Sequence, residues 1–206
     1  GATVEVRGAA GMTSLMLALL GGASSQGLWC AAVGFPLLSG EAAADYGIDL
    51  ARFALVPRPG PDWITVVGAL LDSIDLVAVR LPGPPARLSD GDARRLAARA
   101  RRRGSVLLPA PAADPWPTAD VRLAVSIGEG HGWRGAEAGY GRLQRRRVQL
   151  HASGRGAAAR RRSIALWMPD RVGALAADGA EDARGTVSPL LPASRRRPLH
   201  DAAGAR

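Results

Sequence analysis

Five residues near the start of the chain come closest to a recognisable chemistry: Gly8, Gly11, Met12, Thr13 and Ser14, in the stretch EVRGAAGMTSLMLALL. An apolar strand, a glycine-rich turn and a hydroxyl pair opening an apolar helix form the layout of a phosphate-binding loop. Such a loop needs four residues between its first glycine and a Gly-Lys pair, so that backbone N–H groups can wrap a phosphate. Here only Ala9 and Ala10 separate Gly8 from Gly11, and Met12 stands at the lysine position. A thioether cannot neutralise phosphate charge. The stretch therefore reads as a ruined phosphate loop that keeps its strand-to-helix turn.

The elements that would position this turn follow from periodicity. Strands are expected at 2–7, 28–35, 52–57, 74–81 and 105–110, with helices at 13–26, 39–47, 62–73 and 89–103 between them. Ser39 and Asp62 are the expected helix caps, and Gly47 an expected stop. The strand IDLVAVRL is apolar almost throughout, as in a parallel sheet covered on both faces. Three strands without intervening helices follow, at 119–127, 141–152 and 162–169. In the second, Val148, Leu150 and Ala152 alternate with Arg145, Arg147 and Gln149, the pattern of a half-buried antiparallel ladder. The expected fold class is α/β, a mostly parallel central sheet flanked by helices, with antiparallel strands at the C-terminal end. The domain is expected to span 1–169, and 170–206 is expected to be a largely disordered, low-complexity tail. Residues 186–199, TVSPLLPASRRRPL, form a candidate docking motif within it.

Composition narrows the function classes. The chain has 206 residues, 47% of them hydrophobic, enough for a real core. All 27 basic residues are arginine, against 18 acidic ones, for a net charge of +9. A pI near 11.4 predicts affinity for polyanions or for an acidic protein face. Cys30 is the only cysteine, which excludes an internal disulfide and fits a reducing cytoplasm. No apolar run approaches the roughly 20 residues of a membrane helix, and no signal peptide is evident. The chain opens directly on a strand, which leaves room for a segment ahead of Gly1.

The collinear order of these parts resembles the core of the RecA-like recombinases over residues 1–169. The matching stretches are VEVRGAAGMTSL, GLWCAAVGF, YGIDLARFALVPRPG, LLDSIDLVAVRL, ADVRLAV and RRRVQLHASGRGAAARRRSIALWMP. Within that superfamily the chain is most similar to the actinobacterial mutasome accessory proteins called ImuA-prime. That resemblance implies a role in SOS-induced DNA damage tolerance and error-prone translesion synthesis, beside a Y-family-polymerase-like partner. It also shows what is lost. The strand that carries the metal-binding aspartate ends here in Arg80, and a cation there repels magnesium. The water-activating glutamate is replaced by Pro36, and the polar sensor by Ala110. With Met12, four parts of the phosphoryl-transfer machinery are missing together. The expectation is a non-enzymatic protein with no cofactor and no metal.

The binding sites expected are of two kinds. Arg145, Arg146, Arg147, Arg160, Arg161 and Arg162 lie on neighbouring strands of a predicted hairpin, where their charges would add on a DNA backbone. Trp116, held between Pro115 and Pro117, is a candidate exposed anchor for a protein partner, with Arg195, Arg196 and Arg197 of the tail, and local packing over the sheet edge is the alternative for it. Trp29, Trp63 and Trp167 are expected in the core. The arginines of helix 89–103 read as solvated surface. The loops 82–92 and 111–118, which correspond to the DNA loops of the recombinases, are short. Trp133 and Tyr140 in the glycine-rich loop 128–141 are candidate base-stacking residues, and His131, His151 and His200 are too scattered for a zinc site. The partners expected are a polymerase-related mutasome subunit, possible DNA backbone and a second copy of the chain, with no membrane, in the cytoplasm or at the nucleoid. Three other readings stay open: an ATP-dependent recombinase, a free-standing single-strand DNA-binding module, and an SOS cell-division inhibitor.

Overall fold

A computed structural model describes residues 1–8, 10–81, 88–111, 114–127, 133–134, 145–156, 159–168 and 176–177. The chain alternates strand and helix through its first half: β1 (Ala2–Arg7), α1 (Met12–Ser24), β2 (Cys30–Val33), α2 (Gly40–Asp45), β3 (Phe53–Val56), α3 (Trp63–Leu71), β4 (Leu76–Arg80), α4 (Asp90–Arg103) and β5 (Val106–Ala110). A single 3-10 turn, Leu50–Arg52, precedes β3. The strands β6 (Val121–Ile127), β7 (Trp133–Arg134), β8 (Arg145–Gly154), β9 (Arg162–Met168) and β10 (Ala176–Ala177) complete one ten-stranded sheet.

The sheet runs in the order β10-β9-β8-β6-β1-β5-β4-β2-β3, with β7 paired to β8. The six strands from β6 to β3 are mutually parallel, and β7, β8, β9 and β10 pair antiparallel. The fold class expected from periodicity is thus present at the level of a mixed α/β sheet. Part of the expected tail is ordered, because Ala176 and Ala177 pair with Trp167 and Leu166.

Alternate residues of each parallel strand feed two cores. Cys30, Ala32, Leu76, Ala78 and Leu108 join Leu15, Met16 and Leu20 of α1 on one face. Ala31, Val33, Val77, Val79 and Leu107 meet Trp63, Val67 and Leu71 of α3 and Leu96 and Ala100 of α4 on the other. Both faces are covered, which explains the continuous apolar runs.

The helix ends show which local signals were decisive. Ser39 and Ser89 cap α2 and α4, accepting from Ala42 N at 3.1 Å and Asp92 N at 3.0 Å. Asp62 makes no side-chain cap bond, contrary to expectation. Its backbone, at φ −85° and ψ 18°, is not in the extended region that carries a cap side chain over the first turn. Trp29 also departs from expectation. β2 begins one residue later, at Cys30, so the indole falls beyond the covered sheet and is 43% exposed.

Candidate functional site

The turn after β1 lies at the carboxyl edge of the parallel strands. From β1 the chain runs through α1 to β2, while from β5 it crosses β1 to reach β6, so adjacent strands send their connections in opposite directions. Open α/β sheets bind ligands at such switch points. Gly8 has φ +152°, and a Cβ there would stand 2.3 Å from the Val125 carbonyl oxygen. Gly11 is left-handed at φ 90° and heads α1 without a side-chain cap, its carbonyl accepting from Leu15 N at 2.9 Å. Both glycines are required by geometry.

The side chains around this turn do not make a phosphate site. Met12 packs against the core on the α1 face. Thr13 and Ser14 are half-buried. Arg80 is exposed at the end of β4, where its backbone pairs with Ala110, and Pro36 is exposed beyond β2. Ala110 is buried. The four positions thus gather at one sheet edge, and none of them offers a carboxylate or a lysine. Among the described residues no group of three His, Cys, Asp or Glu side chains could hold a metal. No described helix is long and apolar enough to cross a membrane.

Two expected binding elements are rearranged. Trp116 is fully buried, so its reading as an exposed anchor is corrected. The loop that carries it folds against the α3–α4 face of the sheet, where Trp116 shares a core cluster with Trp63, Leu96 and Ala119. There the Trp116 amide donates to Glu5 Oε1 at 3.1 Å and its indole N–H to Thr118 Oγ1 at 3.1 Å. The basic clusters are corrected in placement. β8 and β9 are antiparallel, with Arg147 opposite Trp167 and Arg162 opposite Ala152. The two clusters begin their strands from opposite ends and stand five residues apart in register, about 16 Å along the strands. That exceeds a Debye length of about 8 Å at physiological salt, so the charges of the two clusters do not add. The side chains of Arg145 and Arg146 lie outside the described residues, as do Arg195, Arg196 and Arg197 and also His131 and Tyr140.

The buried carboxylate of Glu5 was missed from the sequence. It is fully buried on β1, bonds the Arg7 guanidinium, and accepts from Arg122 Nε at 2.8 Å. Arg122 also donates to the Trp116 carbonyl at 3.2 Å. The signal was present as polar Thr3, Glu5 and Arg7 alternating with Val4 and Val6 on a strand that proves to be central. The arginines of α4 are likewise more than solvated surface. Arg99 and Arg103 converge on Asp72 at the end of α3, with Arg99 Nε at 2.8 Å and Arg103 Nε at 3.0 Å from its Oδ1. Arg101 reaches Asp120 ahead of β6 at 2.6 Å. The hydrogen bond from Arg99 is the main reason the Asp72 carboxyl is held down at about 2. Burial pushes the Cys30 thiol up to about 12, with Asp75 adding to the effect. This is an inert core thiol.

The first 118 residues match the model of the MT3502 N-terminal domain. The chain belongs to that family. A relative, the uncharacterized protein Rv3395c of Mycobacterium tuberculosis (strain ATCC 25618 / H37Rv), is 34% identical over 152 residues, covering 70% of this chain and 71% of that protein. The match to the MT3502 N-terminal domain ends within the Trp116 loop. It takes in the glycine turn after β1, the α1 face and the α3–α4 layer, and leaves the antiparallel strands outside.

Proposed function

We propose that the protein is a non-hydrolysing, RecA-like accessory factor in DNA damage tolerance, holding a polymerase-related partner and touching DNA without reading its sequence. The observation that carries this reading is the fate of the position after Gly11. Met12 is a half-buried thioether packed against the core, while Arg80 puts a cation at the strand end where a magnesium ligand would be needed. The turn keeps its two obligatory glycines at the switch point, which is the expected remnant of a nucleotide site. The likeness to the mutasome accessory proteins supplies the biological setting. An excess of nine positive charges favours contact with a polyanion.

The test is a titration of the full chain with labelled ATP, an ATPase assay with and without single-stranded DNA, and a binding assay against a purified Y-family-polymerase-like mutasome subunit. The reading expects no saturable ATP binding, no turnover and a stable complex with the subunit. Saturable ATP binding with DNA-stimulated turnover would return the protein to the recombinase class.

A further inference from the structure

One group of exposed arginines lies at the edge of the sheet opposite the degenerate turn. At the amino edge, α4 ends in Arg101, Arg102 and Arg103. The connection from β8 to β9 brings Arg155, Arg160 and Arg161 to the same edge. The two groups meet at Asp120. Its carboxylate accepts from Arg101 at 2.6 Å, and its carbonyl accepts from the Arg155 amide at 2.9 Å. Six exposed arginines face three aspartates, Asp72, Asp75 and Asp120. Arg102, Arg155, Arg160 and Arg161 have no ion pair among the described residues. Exposed arginines left without acidic partners beside one another are the pattern a phosphate backbone requires, because guanidinium forks bind phosphate oxygens in pairs.

The same edge carries an aromatic surface. Trp29, 43% exposed, stands at the amino end of β2 with its amide bonded to Asp75 Oδ2 at 2.8 Å. β2 is separated from β5, where α4 delivers its arginines, by β4 alone, a span of about 10 Å. A basic track with an exposed indole beside it is how sequence-tolerant sites hold single strands, phosphates on the cations and a base on the ring.

We infer that the amino edge of the sheet, from Trp29 past Arg102 to Arg160 and Arg161, is a docking track for the phosphate backbone of single-stranded DNA. This deepens the DNA-contact element of the proposed function and rests on it. It places that contact away from the nucleotide-like turn and independent of nucleotide.

The test is fluorescence anisotropy of labelled oligothymidylate with the full chain, between roughly 50 and 200 mM salt. The wild-type slope of log affinity against log salt is expected near −3 to −4, about 0.7 per phosphate contact. The triple substitution R102A/R160A/R161A removes no described ion pair, so circular dichroism should be unchanged. It should weaken binding on the order of a hundred-fold at low salt and reduce the slope by about 2. R58A/R80A, which removes two exposed cations at the carboxyl edge, should leave binding within two-fold. W29A should weaken the single strand and spare duplex DNA. Equal losses from both sets of arginine substitutions would overturn the track while leaving DNA contact in place. A wild-type protein that fails to bind at low salt would overturn both. Competition by polyglutamate as effective as by DNA would assign the edge to an acidic protein instead and overturn the inference.

Discussion

Arg122 Nε stands 2.8 Å from Glu5 Oε2 across two parallel strands, and the carboxylate it meets is wholly buried. Glu5 ties together a strand, its neighbour and a loop, since it also accepts from the Trp116 amide. E5A leaves that amide without its acceptor and two guanidiniums without their counter-charge. The expected loss is about 3 kcal/mol, a fall in melting temperature of roughly 6–12 °C for a chain of this size. E5Q keeps an acceptor and should lose about half as much. A loss below 1 kcal/mol for E5A, measured by urea unfolding, would show that the cluster contributes nothing net.

Acid should loosen the α3–α4 layer over a defined range. The Asp72 carboxyl is held at about 2, below the ordinary 3.8, mainly by its hydrogen bond from Arg99. A depressed carboxyl contributes stability that is present above its unfolded value and lost as pH falls through its folded one. The contribution should therefore fade between about pH 4 and pH 2. D72N should flatten that part of the curve of melting temperature against pH. An unchanged acid limb in D72N would assign the fade to other carboxylates.

Cys30 should be silent toward thiol reagents. Its sulfur is buried, faces the Leu20 carbonyl at 3.6 Å, and titrates only near pH 12. Thiolate is the reactive form. Labelling with a maleimide at pH 8 should proceed only through unfolding, and should track the unfolding rate as urea is added. Rapid labelling in native buffer would contradict the burial of β2.

The turn at Gly8 and Met12 should resist repair. G8A drives a Cβ to within 2.3 Å of a backbone oxygen, which cannot yield without moving β6. A loss of about 2 kcal/mol or more is expected. M12K places an ammonium where a thioether packs against the core and should also lower stability, by about 1–3 kcal/mol. It should not restore ATP turnover, because Arg80 and Pro36 remain. Turnover by M12K alone would show that the other positions are compensated.

Periodicity was sufficient to locate the main strands and helices, because the parallel strands are covered on both faces and the helices carry clear caps at Ser39 and Ser89. It failed where tertiary context decided. Whether the indole of Trp116 points out or in depends on Trp63, Leu96 and the Glu5 carboxylate, which come from distant elements that local sequence does not bring together. The separation of the two arginine clusters follows from strand direction, since residues adjacent in a list of motifs start opposite strands of a hairpin. The role of α4 as a clasp depended on Asp72 and Asp120, which come from distant elements. The strand-to-helix turn after β1 was legible from its glycines, since Gly11 takes the left-handed conformation and Gly8 stands where a Cβ would meet β6.

β1 lies in the interior of the sheet, yet its neighbours come late: Ala2 pairs with Val106, and Val4 with Val121. A ribosome adding about 5–20 residues each second needs some 5–20 seconds to make the intervening chain. During that interval the nascent polypeptide holds a strand with two open sides and an α1 rich in leucine. Its assembly is thus dominated by long-range closure, the circumstance that slows folding most, since neither side of β1 can pair until β5 and β6 emerge.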